Sequence, residues 1–160
     1  MASDFFIKID GIKGSCKDAN HKDWIPVRTF RHGTKQTIAK DSSTEVVGRG
    51  EFQLFEFSHL VDISAPKIQE ATMKGTIFKS VQLHVCRAIA GKQEIVYDVK
   101  MTNVKIQSAN MEIIEIEEGI KCPVEFVKMT SDSATWKVVP INPDNTKGGA
   151  VETSCNQLTK

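Results

Sequence analysis

Between Asp4 and Phe30 the chain spells out a strand, two glycine breaks, a polar loop and a second strand, and this order constrains the fold more than any other stretch. Phe5, Ile7 and Ile9 alternate with Phe6, Lys8 and Asp10, the period-two pattern of a half-buried strand, before Gly11 and Gly14 interrupt it. A polar bend through Lys17, Asp18, Asn20 and His21 follows, and apolar residues resume at Trp24, Ile25, Val27 and Phe30. No reactive group in this stretch is poised for chemistry. The segment builds architecture.

The rest of the chain reads mostly as strand. Phe52, Leu54, Phe55 and Phe57 mark an aromatic strand whose adjacent Leu54 and Phe55 imply a bulge or burial on both faces. Val81, Leu83 and Val85 alternate with Gln82, His84 and Cys86. A turn is expected at Ala90-Gly91-Lys92, after which Ile95, Tyr97, Val99 and Met101 keep period two and Val104 and Ile106 extend the run. These two runs predict an antiparallel hairpin. Val124, Phe126, Trp136, Val138 and Val139 form a further series closed by Pro140, with Ser131 to Thr135 either a turn or the exposed middle of one long bent strand. Trp24 and Trp136 are read as core residues from their apolar neighbours.

One helix interrupts this pattern, over about 64–75. Ser64 is a capping residue, Pro66 is tolerated in a first turn, Ile63 and Ile68 have the spacing of a hydrophobic staple, and Gly75 supplies a left-handed exit. Ile68, Ala71 and Thr72 share its inward face. The polar segment over 34–50 is long for a connection between strands and is expected to be a surface loop or projecting hairpin. A single domain over 1–160, mainly β with one short helix at the side, accommodates all of this.

Composition narrows the function classes. With 21 Lys and Arg against 20 Asp and Glu, nothing in the bulk charge favours a nucleic-acid partner. The opening MASDFFIKID is not a secretory signal, and no later stretch has the apolar length to span a bilayer, so cytoplasmic synthesis without direct membrane insertion is expected. Cys16, Cys86, Cys122 and Cys155 are scattered and read as reduced thiols. His84 and Cys86 are the one metal-like pair, and no second pair completes a site.

A search for chemistry returns little. His21-Lys22-Asp23 has the letters of a phospholipase D signature without its spacers. Ser58 and His59 are adjacent and would point to opposite faces of a strand, and no G-x-S-x-G turn presents a serine. Cys122 before Pro123 lacks an activating histidine motif. Glu112, Glu115, Glu117 and Glu118 alternate with Ile113, Ile114 and Ile116 as a strand with a solvated edge would. Gly11-Ile12-Lys13-Gly14 and Gly148-Gly149 lack the full phosphate-binding spacing. No catalytic, cofactor-binding or metal residue is therefore expected, and the chain is not read as an enzyme.

From DFFIKIDGIKG and HKDWI, through FQLFEF and VDISAPKI, to YDVKMTNVKIQSA, TWKVVP and PDNTKGGAV, the chain resembles the haemolysin-coregulated proteins that form the inner tube of the bacterial type VI secretion system. It differs from many of them in the projecting loop, here TIAKDSSTEVVGRG, and in having TSCNQL where a tryptophan stands in the last strand. The resemblance implies two packed antiparallel sheets forming a β-barrel with the helix at its side. It further implies a homo-hexameric ring, stacking of rings into a hollow tube, and sheath, spike and baseplate proteins as partners. Effector proteins would ride in the lumen, and the subunit would leave the cell, or enter a target cell, without a signal peptide. By position in the family's extended loop, Thr37, Ile38, Ala39, Lys40, Asp41, Ser42, Ser43 and Thr44 are the candidate contacts between rings. The alternative is a monomeric small-ligand-binding β-barrel, which would use the same strands around an apolar cavity. An added C-terminal effector domain has no counterpart in a chain that stops at Lys160.

Overall fold

The structure is a computed structural model and describes residues 3–38, 48 and 50–157. Its strands are β1 (Ser3–Ile9), β2 (Ile25–Val27), β3 (Thr29–Arg31), β4 (Thr34–Lys35), β5 (Glu51–Phe52) and β6 (Phe55–Leu60), then β7 (Ile77–Ile89), β8 (Lys92–Glu117), β9 (Ile120–Thr130), β10 (Ser133–Val138) and β11 (Val151–Asn156). The helix α1 (Ala65–Lys74) lies between β6 and β7. The mainly β class with one helix is as the sequence predicts.

The nine-stranded sheet has the order β2-β1-β7-β8-β9-β6-β3, with β10 inserted between β8 and β11. Its two ends, β2 and β3, are separated in the chain by Arg28 alone, whose N–H donates to the Ser58 carbonyl at 2.8 Å. A sheet whose last strands are one continuous piece of backbone must curl until they meet. The two layers expected from the sequence are thus opposite walls of one curled sheet, and the fully buried Ile7, Ile9, Ile25, Leu83, Met101 and Met129 fill the space between them.

The hairpin β7–β8 turns through Ala90 and Gly91 at φ values of 51° and 78°, the pair of positive angles that a two-residue turn needs to match strand twist. Asn103, at φ 50°, marks a kink: inward residues run through Val99 and Met101 before it and through Val104 and Ile106 after it, a change of face that β7 repeats between Phe78 and Val81. Further along, β9 and β10 follow the same edge of β8 without changing register, with Thr130 opposite Lys105 and Ser133 opposite Thr102. They form one long bent strand. Its middle is not exposed, since Ser131 is buried and the Asp132 N–H donates to the Thr102 carbonyl at 3.1 Å.

The helix ends where glycine allows it to. Gly75 has φ 64°, and the paired bonds from Gly75 N–H to Thr72 O and from Thr76 N–H to Ala71 O form a Schellman closure. Its start differs from expectation. Ser64 makes no side-chain cap, and its hydroxyl donates instead to Asp62 Oδ1. The same carboxylate's Oδ2 accepts from the Ser15 N–H and hydroxyl, tying the start of the helix to the loop after β1. Ile63 is 61% exposed while Ile68 is fully buried, so the Asp62 bonds, rather than a staple, fix the approach.

Candidate assembly surface

The segment predicted to project begins and ends as a two-stranded ladder, with Thr34 opposite Phe52 and Lys35 opposite Glu51, and an ion pair of 3.5 Å between Lys35 and Glu51. Strand pairing at this root turns a loop into an arm. Of the eight candidate ring contacts, Thr37 and Ile38 are described, both exposed, with Ile38 at 43%. Ala39, Lys40, Asp41, Ser42, Ser43 and Thr44 lie outside the described residues, as do Val46 and Val47.

The arm is rooted by residues that the sequence did not single out. His32 packs 5.3 Å from the Phe55 ring and 6.3 Å from both Phe52 and Trp136, and Phe52 meets Trp136 edge-on at 5.9 Å. Both His32 ring nitrogens are buried without a hydrogen-bond partner, and desolvation lowers its pKa, so this imidazole packs as a neutral ring. Gln157 joins the root to the end of the chain: its N–H donates to Asp132 O at 2.7 Å and its side-chain oxygen accepts from Phe52 N–H at 2.9 Å. A shallow groove of about 470 Å³ lies beside the root, between Lys35, Phe52, Trp136, Cys155 and Gln157.

Two strand edges are left open among the described residues. β11 pairs with β10 alone, and β8 loses β7 as a neighbour beyond Lys105, so that its far half pairs only with β9. Gln69 of α1 covers one rung of that second edge by donating to Ala109 O at 3.0 Å. Exposed apolar side chains accompany both edges: Met111 and Ile113 on β8, and Val138 and Val151 on β10 and β11. Such edges invite another strand. The acidic residues Glu112, Glu115 and Glu117 occupy the far β8–β9 hairpin, which turns at Gly119, with the Gly119 N–H donating to Glu115.

The residues considered for chemistry are placed in structural roles. Ser58 shares a hydrogen bond with Thr29, whereas His59, on the opposite face, meets Glu125 Oε1 at 2.7 Å. Glu125 is fully buried and also accepts from Gln69 at 2.9 Å, a polar tie between the helix and the barrel that the isolated letters H, E and Q did not announce. His84 and Cys86 do share a face and both approach His21, Nδ1 at 3.0 Å and Sγ at 3.9 Å. Among the described residues no group of three His, Cys, Asp or Glu is arranged as a metal site. No described helix is long and apolar enough to cross a membrane.

Residues 6–138 match the family described as type VI secretion system effector, Hcp. The chain belongs to that family. The fold agrees throughout: the solved structure of a type six secretion system protein superposes with a TM-score of 0.88 at 24% identity, covering 99% of this chain and 98% of the other. Hcp1 from Salmonella typhimurium gives 0.79 at 21% identity over 99% and 97% of the two chains. A type VI secretion system effector from Yersinia pestis gives 0.75 at 25% identity over 96% and 99%. No curated protein sequence matches the chain. Membership of the Hcp family places the chain with the secretion apparatus, and its β-rich Hcp fold carries the arm and the open edges on a single scaffold.

Proposed function

We propose that this chain is the repeating subunit of a type VI secretion tube. Copies close head to tail into a ring of six, rings stack through the arm, and the hollow tube is propelled from the cell by a contracting sheath behind a spike, with effectors held in its lumen. Family membership over residues 6–138 carries the reading. The open edges of β8 and β11 support it, because two different edges on one subunit suit a heterologous contact that closes by rotation. Stacking is assigned to Thr37 through Thr44, of which Ile38 presents exposed apolar surface beyond the paired root. No reacting group is required for any of these steps. The ligand-binding alternative finds little support, since the inward positions of the barrel are occupied by its own core.

The test is the solution mass of the purified protein by light scattering across a dilution series. A mass near six protomers that survives dilution is the expected result. A single-protomer mass at every concentration would overturn the ring and return the ligand-binding barrel to first place. For stacking, Ile38→Asp is expected to abolish cross-linked tubes while leaving the ring mass intact. Tubes formed as readily as by the parent chain would remove Ile38 from the contact.

A further inference from the structure

The loop between β1 and β2 closes over the outer face of the barrel wall, where Phe6, Cys16 and Cys86 form a second small core with Trp24 against it. At its centre four titratable side chains stand in line. Asp18 Oδ2 lies 2.9 Å from His21 Nδ1, His21 Nε2 lies 3.0 Å from His84 Nδ1, and His84 Nε2 lies 3.5 Å from Asp98 Oδ2. Asp18 and His21 belong to the loop, His84 to β7 and Asp98 to β8, so the line stitches the loop to two strands. His21 is 1% exposed and His84 9%, which leaves water little part in satisfying either ring.

The proton count of this line is fixed by its geometry. A carboxylate only accepts, so each terminal contact needs an N–H on the imidazole facing it, and the contact between the two rings needs one hydrogen and no more. That makes three N–H groups on two rings: one neutral imidazole and one imidazolium. Two neutral rings leave one contact without its hydrogen. Two imidazoliums set N–H against N–H at 3.0 Å. We propose that Asp18, His21, His84 and Asp98 form a proton-operated clasp, in which one shared proton holds the loop over residues 14–24 shut and a second proton, taken up in acid, breaks the ring-to-ring contact and releases it.

The surroundings favour the single proton. Asp4 faces the cluster from β1, Cys86 from β7, Asp98 from β8 and Lys137 from β10, with Asp18 on the loop itself. The Cys86 thiol, pushed up to about 11 by burial and then by Asp18 and Asp4, contributes no charge of its own near neutrality. Three carboxylates against one lysine stabilise a shared imidazolium. Gln82 holds Asp98 in place with contacts of 3.1 Å to both carboxylate oxygens. Stacking of Phe6 on His21, with ring centroids 4.2 Å apart, keeps the His21 ring in the line.

The experiment is imidazole nitrogen NMR of the full chain labelled at histidine, followed from neutral to acid pH, together with amide exchange of Cys16 and Asp23, whose N–H groups close the loop onto Trp24 O and Cys16 O. The expected result is one imidazolium shared by His21 and His84, and a single later step in which both rings become fully protonated. At that step, exchange protection at Cys16 and Asp23 falls by about tenfold or more, the scale of one lost hydrogen bond, while the β7–β8 amides keep theirs. Asp98→Asn keeps the shape but removes the acceptor that requires the third N–H, so the shared imidazolium is expected to disappear near neutrality. Two rings that titrate independently, or an Asp98→Asn chain with unchanged histidine signals, would overturn the clasp. So would a loop whose protection does not change as the second proton binds.

Discussion

Replacing Glu125 by alanine tests whether the helix is tied to the barrel by a polar contact rather than by apolar packing alone. Glu125 and His59 are both fully buried, 2.7 Å apart, and the second Glu125 oxygen accepts from Gln69 on the helix. Removing the carboxyl leaves the His59 Nε2 without its partner where no water reaches, and His59 Nδ1 is already without a hydrogen bond. An orphaned buried group costs about 1–3 kcal/mol. Gln69 loses less, because its amide keeps Ala109 O. With the void left by the side chain, the total comes to about 3–5 kcal/mol, the scale found for breaking buried polar pairs. For a chain of this size that lowers the melting temperature by about 6–20 °C. Urea unfolding at one fixed protein concentration measures it, since ring formation would otherwise add a concentration term. Glu125→Gln preserves volume and one acceptor and should lose only about 1–2 kcal/mol. A Glu125→Ala loss below about 1 kcal/mol, or equal losses for the two variants, would refute the reasoning.

Three other outcomes are expected. Gly75→Ala meets nothing within 4 Å but must hold φ 64°, so urea unfolding should show a loss of about 1–2 kcal/mol, all of it backbone strain. Gly14→Ala should lose more, since its Cβ would stand 2.4 Å from the Trp24 carbonyl oxygen. Burial alone would raise the Asp98 carboxyl, but the hydrogen bonds from His84 and Gln82 outweigh it, and the His21 bond likewise lowers Asp18. Both folded pKa values are depressed, so their stabilisation is present above the ordinary 3.8 and is lost as pH falls through the folded values; Asp98→Asn should flatten that acid slope in unfolding measured against pH. Finally, Cys86 should be the last thiol to react with a soluble alkylating reagent at pH 8, after the half-buried Cys122 and Cys155, as read by peptide mass spectrometry; early Cys86 labelling would contradict its packing.

Much of the fold is legible in the letters because its signals are local. The alternation from Val81 to Val85, the Ala90-Gly91 turn and the Gly75 stop each depend on neighbours in sequence, and each stands where expected. Even the kink at Asn103 is written, as the step from Met101 to Val104 that breaks period two. What the letters did not disclose arises between distant segments. Phe6 sits on what alternation marks as the polar face of β1, yet it is buried because the loop over 14–24 folds back upon it. Glu125 pairs with His59 across 66 residues, and Gln157 reaches Phe52 across 105. His32 carried no motif and became the aromatic root of the arm only when Phe52, Phe55 and Trp136 gathered around it. Of the projecting segment, length and polarity were readable, and so was strand potential near its base, although the observed pairing lies at 34–35 and 51–52.

The bent strand of β9 and β10 bears on how the subunit would take a mechanical load. It lies along β8 in one register for nearly the whole length of that strand, while β7 grips the near half from the other side. A pull along β8 would therefore load many backbone rungs at once, sideways, instead of peeling them singly from an end. The bend at Ser131 and Asp132 is where the outer neighbour changes from β6 to β11, and it is also where Gln157 fastens the arm. Force entering through the arm would thus be delivered to the middle of the stiffest ladder in the molecule, away from any frayed end.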